Sequence, residues 1–362
     1  FDCYKILKSR LIMKNILVTG GAGFIGSHTC ITLLEKGYKL IVIDSNINSS
    51  PDSLFKIRLI VEKKLIISNQ LIFKKGNIGN FNFLREVFLS AKKENNQIDA
   101  VIHFAGLKSI EESIKKPLLY WENNVYGTII LLKVMREFNC KNIVFSSSAS
   151  IYGKSNLMPI NETNLVNPIN TYGQTKVAIE NILKDIYIAD GKSWKIANLR
   201  YFNPIGAHPS GILGENPTYN ANNLFPEICK VAASENKILK IFGKDWPTPD
   251  GTTIRDYIHV MDLAEAHENA LSFILNNEPQ ILNLNIGTGL GISILDLVRK
   301  FIKINNCLVP FKFYPRRIGD VPILIADNHK AISILKWKPT RDLDAMCKDG
   351  WKWQRQKMKN IC

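Results

Sequence analysis

Cysteine is scarce and scattered in this 362-residue sequence. The seven cysteines are odd in number and include no C-x-x-C pair, whereas zinc sites and disulfide frameworks use closely spaced or paired cysteines. We therefore expect no bound metal, no disulfide framework and a reducing, cytoplasmic location. Long apolar runs are also missing: none approaches the roughly 20 residues that cross a bilayer, so we expect no membrane association.

Acidic residues are too few to balance the basic ones. The chain has 47 Lys and Arg against 32 Asp and Glu, which gives a formal net charge of +15. Such a charge could attract nucleic acid, anionic lipid or an acidic small substrate. The lysines are spread along the chain, however, without a basic block or interleaved aromatic residues. We interpret most of them as solvated surface and expect no nucleic-acid partner.

Residues 1–12 precede Met13 and lack the apolar stretch and cleavage site of a signal peptide. We interpret them as an N-terminal extension, with Met13 as the natural start; an amphipathic targeting segment is the alternative.

Residues 13–201 alternate short β-branched runs with longer amphipathic stretches. The predicted strands are Asn15–Thr19, Lys39–Asp44, Leu71–Lys74, Ala100–Phe104, Asn142–Ser146 and Lys195–Leu199, and the predicted helices are Phe24–Lys36, Tyr120–Phe138 and Thr171–Ala189. Because parallel strands require crossover connections, this alternation predicts an α/β fold with a Rossmann-type, doubly wound parallel sheet.

From residue 203 to residue 251 the sequence is rich in Pro, Gly and Asn, with one predicted helix near Leu224–Ala233. We predict that residues 202–362 form a smaller mixed α/β domain that covers the carboxyl edge of the sheet and holds the substrate. The sequence leaves open whether segments near residues 254–286 return to the first domain.

A glycine-rich turn directly follows the first predicted strand. Gly20 permits the tight turn, Gly23 lets the backbone approach a pyrophosphate, and Gly26 allows close packing of helix on strand. The second strand ends in Asp44, whose carboxylate can accept hydrogen bonds from a ribose diol and repels a 2′-phosphate. Ser45 and Asn46 follow it without a nearby arginine, so the cofactor is predicted to be NAD rather than NADP.

Tyr172 and Lys176 lie at i and i+4 on one face of a predicted helix. A lysine cation and a positive nicotinamide ring would lower the pKa of the phenol, which ordinarily lies near 10. Ser148 follows a strand at the sheet edge where such folds bind ligands. Taken alone, the pair would be read as a packed tyrosine and a solvated lysine. The order of glycine loop, Asp44, Ser148, Tyr172 and Lys176 favours catalysis.

This combination resembles the extended short-chain dehydrogenase/reductase superfamily and, more narrowly, its UDP-glucose 4-epimerases. The narrower resemblance rests on VTGGAGFIGSHT (18–29), VIHFAGLKSI (101–110), FSSSASIYG (145–153), LRYFNPIGAHPSG (199–211), DGTTIRDYIHVMDLAEAH (250–267) and PRRIGD (315–320). It covers nearly the whole chain.

The resemblance implies that UDP-galactose and UDP-glucose are interconverted by C4 epimerisation, through a transient 4-keto sugar and NADH, in the Leloir pathway of galactose metabolism. It implies that Tyr172 is the acid/base, that Lys176 tunes it and holds the nicotinamide ribose, and that Ser148 assists at the sugar O4. It also implies a homodimer, which no interface motif demonstrates.

The resemblance further assigns the binding residues. The NAD site would comprise Gly20, Gly23, Phe24, Ile25, Gly26, Asp44, Ser45, Asn46, Ile47, Asn48, Ser49, Asn77, Ile78, Phe104, Ala105, Gly106, Leu107, Lys108, Asn123, Ser148, Tyr172, Lys176 and Phe202. The UDP-sugar would be held by Ser148, Tyr172, Asn203, Asn223, Leu224, Lys240, Ile241, Phe242, Arg255, Arg317 and Asp320. The guanidinium groups of Arg255 and Arg317 suit a diphosphate.

Three positions depart from the family pattern. Asn77 stands where an aspartate is common, and its carbonyl can still accept a hydrogen bond from the adenine amine. Ile318 replaces a usual glutamate, without an interpretation. Leu324 occupies a position that influences room for an N-acetyl group in similar enzymes, so we expect some activity on N-acetylated UDP-sugars.

Two alternative functions remain for this fold. A nucleotide-sugar 4,6-dehydratase needs an additional acid/base pair, typically Asp-Glu, after the active-site serine or threonine, but Ala149 and Ser150 follow Ser148. A non-catalytic NAD-sensing module would have a broken Tyr/Lys pair, whereas this pair is intact.

Overall fold

Seven parallel strands form the largest sheet in the computed structural model, which describes residues 13–62, 69–155, 157–216, 223–317 and 319–359. The strands of the described residues are β1 (Asn15–Thr19), β2 (Lys39–Asp44), β3 (Leu71–Lys75), β4 (Ala100–His103), β5 (Asn142–Ser148), β6 (Lys195–Tyr201), β7 (Asn203–Ile205), β8 (Leu239–Phe242), β9 (Ile254–His259), β10 (Ile281–Ile286), β11 (Gly291–Ser293), β12 (Phe311–Tyr314) and β13 (Ile323–Leu324). The predicted N-terminal extension and Ile318 lie outside the described residues.

Helices cover both faces of this sheet. The α-helices of the described residues, in both units, are α1 (Phe24–Glu35), α2 (Asp52–Val61), α3 (Phe81–Lys93), α4 (Ile110–Lys115), α5 (Pro117–Tyr120), α6 (Gly127–Glu137), α7 (Thr171–Ala189), α8 (Leu224–Ala232), α9 (Val260–Asn276), α10 (Ile294–Asn305), α11 (His329–Leu335) and α12 (Leu343–Lys359). A π-helical segment (Trp121–Tyr126) joins α5 to α6, so the predicted helix over Tyr120–Phe138 is not a uniform α-helix.

The large sheet has the strand order β10-β6-β5-β4-β1-β2-β3, and every pairing in it is parallel. This confirms the predicted doubly wound sheet. Alternate residues of the interior strand β1 enter opposite layers of the core because successive side chains of a strand point to opposite faces. Ile16 and Val18 pack with the layer that contains α1 and α9, and Leu17 packs with the layer that contains α3 and α6.

A second, smaller unit is built from the later part of the chain. Strand β9 pairs with β7, β11 and β13, while β8 pairs with β12. Helices α8, α10 and α12 contribute to its separate apolar core, which is centred on Phe225, Ile241 and Phe301. This unit lies at the carboxyl edge of the large sheet, where the two together enclose a cleft.

The chain crosses between these two units more than once. Strand β9 belongs to the small sheet, but α9 then packs against α1, and β10 pairs with β6 as the outermost strand of the large sheet. Of the segments near residues 254–286, Ile281–Ile286 thus returns to the first sheet and Ile254–His259 does not. No helix among the described residues is long and apolar enough to cross a membrane.

Candidate active site

The cleft between the two units has a volume of about 1290 Å³. The ends of β1, β2, β4, β5 and β6 form one wall, and residues of the small unit form the other. Open α/β sheets bind their ligands outside the carboxyl ends of the strands, so this is the expected location of a dinucleotide site.

The glycine turn is packed too tightly for side chains at two positions. Gly20 has a φ of +71°, and a Cβ there would lie 2.7 Å from the backbone nitrogen of Ala105. A Cβ on Gly26 would lie 2.4 Å from the carbonyl oxygen of Gly20. Helix α1 begins next to this turn without a side-chain cap at Gly23, which leaves backbone N–H groups for an anionic ligand. The turn therefore fits a pyrophosphate.

Asp44 is fixed at the end of β2 by hydrogen bonds from its surroundings. Its carboxylate accepts from the backbone N–H of Ala22 at 3.0 Å, from the N–H of Asn46 at 2.9 Å and from the hydroxyl of Ser49 at 2.7 Å. A carboxylate has about four acceptor positions. Since Asp44 also lines the cleft, it can accept a ribose hydroxyl, and the residues present fit NAD.

Lys176 and Tyr172 meet the cleft from the first two turns of α7, which Asn170 caps by accepting from the N–H of Gly173 at 2.8 Å. Lys176 is 5% exposed and donates from Nζ to the carbonyl oxygen of Ser146 at 2.7 Å. Its Nζ lies 5.7 Å from the centre of the Tyr172 ring. Ser148 is the last residue of β5, which runs two residues further than predicted.

The chain's own groups do not produce the expected lowering of the tyrosine pKa. Burial raises the pKa of Tyr172 to about 12, opposed by its hydrogen bond with Ser148. Burial also lowers the pKa of Lys176 to about 8, opposed by the negative charge of Glu180. Desolvation is the main cause of both shifts. The positive ring of a bound nicotinamide would act in the opposite direction on the pKa of the phenol.

Arg255 and Arg317 enter the cleft from the small unit. Arg255 lies on β9, is buried, and forms an ion pair with Asp320. The guanidinium of Arg317 lies 4.0 Å from the ring centre of Phe242, and burial lowers its pKa, opposed by the charges of Asp320 and Glu111. Two guanidinium groups with orienting partners suit a diphosphate.

All of the predicted binding and catalytic residues line the cleft except Asn46, Lys240, Ile241 and Phe242. Asn46 has a φ of +57°, and its side-chain oxygen accepts from Ser49 Oγ. Ile241 is fully buried in the core of the small unit, and Lys240 Nζ lies 5.5 Å from the ring centre of Tyr314. Lys240 and Ile241 lie on the two-stranded sheet β8–β12, where the side chain of Lys240 is exposed and that of Ile241 packs in the core. Phe242 contacts Arg317, which lines the cleft.

Two groups of residues with clear positions at the site were not predicted. Asn124, in the π-helical segment, accepts from the N–H of Leu107 at 2.7 Å and donates to its carbonyl oxygen at 3.0 Å. Glu180 and Arg200 form an ion pair at 2.6 Å behind β5. The position of Glu180, eight residues after Tyr172, is a helical spacing that could have drawn attention to it; no comparable signal marks Asn124.

Asn77, which departs from the family pattern, lines the cleft. Its side-chain oxygen accepts from the backbone N–H of Gly79 at 2.8 Å, which forms a local turn at the cleft edge. The amide oxygen retains a second lone pair, so the proposed contact with an adenine amine is still compatible with this geometry.

Comparisons with a family model and with individual proteins each match nearly the whole chain. Residues 17–350 match the family model described as GDP-mannose 4,6 dehydratase. The chain is 46% identical to UDP-glucose 4-epimerase of Bacillus subtilis (strain 168) over 339 residues, which cover 94% of this chain and 96% of that protein. It is 44% identical to UDP-glucose 4-epimerase of Dictyostelium discoideum over 343 residues, which cover 95% and 96%.

Two solved structures have closely similar folds. UDP-glucose-4-epimerase from Stenotrophomonas maltophila, with bound NAD and formylated UDP-arabinopyranose, superposes with a TM-score of 0.89 at 41% identity, covering 96% of this chain and 99% of that chain. UDP-glucose 4-epimerase from Bifidobacterium longum, in complex with NAD+ and UDP, superposes with a TM-score of 0.89 at 42% identity, covering 95% and 99%.

Proposed function

The chain belongs to the UDP-glucose 4-epimerase family, and from this membership we propose that its cleft binds NAD and a UDP-hexose and interconverts UDP-galactose and UDP-glucose, a reaction of galactose metabolism. The observation that carries the proposal is the meeting of Tyr172, Lys176 and Ser148 in one cleft with Asp44 at one end and Arg255 at the other. One cleft thus contains residues that can bind a dinucleotide, residues that can transfer a proton and an arginine that can bind a diphosphate.

The cofactor is NAD, as in the relatives from Stenotrophomonas maltophila and Bifidobacterium longum. When bound, NAD would supply a reversible hydride acceptor for C4 of the sugar. We assign its pyrophosphate to the glycine turn before α1 and its adenosine ribose to Asp44. The buried Lys176 is assigned to the nicotinamide ribose.

Residues of the chain itself transfer the proton of the sugar 4-hydroxyl. Tyr172 takes the proton of the sugar 4-hydroxyl on its phenolic oxygen and gives it back, while Ser148 shares the same substrate oxygen through a hydrogen bond. Lys176 stabilises the phenolate by charge. Arg255 and Arg317 hold the diphosphate, so that the sugar can turn over while the nucleotide stays bound.

A 4,6-dehydratase is the nearest competing activity, since the matching family model is described by that reaction. Ser148 is followed by Ala149 and Ser150, so the two positions that typically supply the extra acid and base have no carboxyl group. The sequence relatives over nearly the whole chain are epimerases. The epimerase reaction is therefore favoured.

The activity test is incubation of the purified protein with UDP-galactose without added NAD, followed by separation of the sugar nucleotides. We expect UDP-glucose as the product, because the cofactor is regenerated in each cycle. Tyr172→Phe is the matched control: it should keep bound NAD and UDP-sugar yet lose at least about 100-fold in rate, since a general acid/base contributes on this scale. A 4-keto-6-deoxy sugar, or a nearly unchanged rate in Tyr172→Phe, would contradict the proposal.

We further propose that the protein is a cytoplasmic homodimer. Support for a dimer comes from an exposed apolar surface on α5 and the π-helical segment, where Leu118 is 81% and Tyr126 51% exposed and Trp121 lies nearby. Apolar residues that cluster on a surface often mark a protein interface. The scattered cysteines, of which Cys30, Cys140, Cys229, Cys307 and Cys347 are free thiols, suit a reducing compartment.

A further inference from the structure

Glu180 lies on the same face of α7 as Tyr172 and Lys176, two turns beyond the tyrosine. Its side chain is 10% exposed. It is not among the residues that line the cleft, so it does not reach the substrate. A carboxylate that is largely withdrawn from water requires partners that satisfy its charge.

The partners of Glu180 belong to two neighbouring strands of the sheet. Ser147 on β5 donates its hydroxyl to one carboxylate oxygen at 2.5 Å. Arg200 on β6 donates from Nε to the same oxygen at 3.0 Å and from Nη2 to the other oxygen at 2.6 Å. Ser147 and Arg200 are register partners in the parallel pairing of β5 with β6. The carboxylate therefore ties α7 to both strands at the height of the active site.

The strand residue that Glu180 holds is the link between two functional groups. Ser147 stands between Ser146, whose carbonyl oxygen accepts from Lys176 Nζ at 2.7 Å, and Ser148, which hydrogen-bonds Tyr172. A shift of this strand end relative to α7 would move the anchor of the lysine and the substrate-facing serine together. Small displacements of reacting groups lower rates strongly.

Charge forms a second connection between Glu180 and the active site. The charged and titratable groups that face it are Lys176 from its own helix, Arg200 from β6, Tyr152 from the short helical turn after β5, whose hydroxyl accepts from Arg200 at 3.0 Å, and Glu162, which shares Arg200 and Tyr152 as neighbours. Of the two carboxylates, Glu180 is the one that pairs directly with Arg200 and acts on Lys176. Removal of the charge on Glu180 leaves an excess positive charge beside Lys176, which favours the neutral lysine.

We propose that Glu180 is a positioning residue for the epimerase reaction: it fixes the strand end that carries Ser146 to Ser148, and it places a negative charge one helical turn from Lys176. This step rests on the proposed function. It is distinct from that function because Glu180 contacts neither the cleft nor the reacting atoms.

The test compares Glu180→Gln with the wild-type holoenzyme over the neutral to alkaline pH range, with UDP-galactose as the substrate. The kcat at neutral pH is expected to fall about tenfold or more, the scale expected for misplaced catalytic groups, while KM and the content of bound NAD stay near the wild-type values. The alkaline limb of the kcat profile is expected to move to lower pH by about one unit, because the lysine loses its proton more readily. Glu180→Asp retains the charge but not the reach, and should restore the alkaline limb with only partial recovery of kcat.

Asp262→Asn is the matched control, since Asp262 is a fully buried helical carboxylate that pairs with Arg341 away from the cleft. It should lower the melting temperature without moving the pH profile. Ser147→Ala, which removes only the link to β5, should lower kcat severalfold and covers the case in which Glu180→Gln does not fold. The proposal would be overturned if the alkaline limb of the kcat profile of Glu180→Gln stayed at the wild-type pH, as expected for Asp262→Asn. An unchanged kcat in Ser147→Ala would also overturn it. An inactive wild-type enzyme would instead contradict the proposed function itself.

Discussion

At the scale of single residues, two side chains of the cleft, Asp44 and Tyr172, differ in how far they depend on a bound cofactor. Asp44 is held by two hydrogen bonds from its own loop and one from the glycine turn, so its orientation depends on no ligand. Tyr172 is the opposite case. Burial raises the pKa of its phenol, and the positive charge of a bound cofactor would lower it. For the base that we propose, we therefore expect ionisation to be favoured when NAD is bound.

Leu324 carries a residue-scale prediction about sugar range. It lies on β13 beside Arg255 and lines the cleft at the end that we assign to the UDP-sugar. We expect the wild-type enzyme to interconvert UDP-N-acetylgalactosamine and UDP-N-acetylglucosamine, because leucine leaves more room than tyrosine. Leu324→Tyr should lower this rate by roughly tenfold or more, in line with the limited discrimination that pocket size gives.

The internal control for Leu324→Tyr is the rate with UDP-galactose in the same preparation, which should change little. Separation of the four sugar nucleotides after a fixed incubation gives both rates. Failure of the wild-type enzyme to act on the N-acetylated sugar, while UDP-galactose is turned over, would remove Leu324 as a determinant.

The residues that could be predicted from the sequence are those that belong to a short, contiguous motif. Gly20, Asp44 and the Tyr172–Lys176 pair follow from short motifs in a strand or helix, and the cleft contains them all. Lys240 and Ile241 were assigned by resemblance, and neither of them lines the cleft. Glu180 was missed because its partners, Ser147 and Arg200, come from separate strands, and only the folded sheet brings them together.

At the scale of elements, the predicted strands and helices of the first 200 residues correspond closely to those observed, since buried parallel strands are short, continuous β-branched runs. The π-helical segment was not predicted, because a wider turn leaves no mark on hydrophobic periodicity. It sets Asn124 against the backbone of Leu107 in the loop that follows β4. Such segments frequently occur at functional sites.

Asn124→Ala tests whether this segment supports the cofactor loop. Asn124 is buried and also donates to Thr175 Oγ1 at 3.2 Å, so the substitution leaves several buried polar groups without partners, at a cost of about 1–3 kcal/mol for each group. We expect a lower melting temperature and faster loss of NAD during gel filtration. Asn276→Ala, an exposed asparagine that bonds only within α9, is the control and should match the wild type. Equal NAD retention in both variants would contradict the role of the segment.

At the scale of the whole molecule, the proposed dimer can be tested with two leucines of equal exposure. Leu118 is 81% exposed within the apolar surface on α5, whereas Leu308 is 82% exposed in a loop of the small unit. Leu118→Glu should convert a dimer into monomers, since burial of a charge in an apolar interface is unfavourable. Leu308→Glu should leave the dimer intact. Sedimentation velocity distinguishes these outcomes, and a monomeric wild-type protein would contradict the proposal.

The sequence alone does not show that the chain returns to the large sheet at β10, and the reason is physical. Strand β10 alternates apolar residues with two asparagines, and nothing in this local pattern indicates which of the two sheets it joins. Its pairing with β6 joins residues 85 positions apart in the sequence (Ile281 with Ile196), and α9 packs against α1 in between.

This return also limits how such enzymes can diversify by recombination. A crossover after residue 201 would exchange not only the substrate-facing loops but also β10 and the helix that packs behind the cofactor helix. The two halves of the chain are therefore not interchangeable modules, and parents that differ in their sheet packing would yield chimeras with mismatched cores. New sugar preferences are more readily acquired through point substitutions at positions such as Leu324, or by loop grafts within the small unit, than by trading halves between relatives.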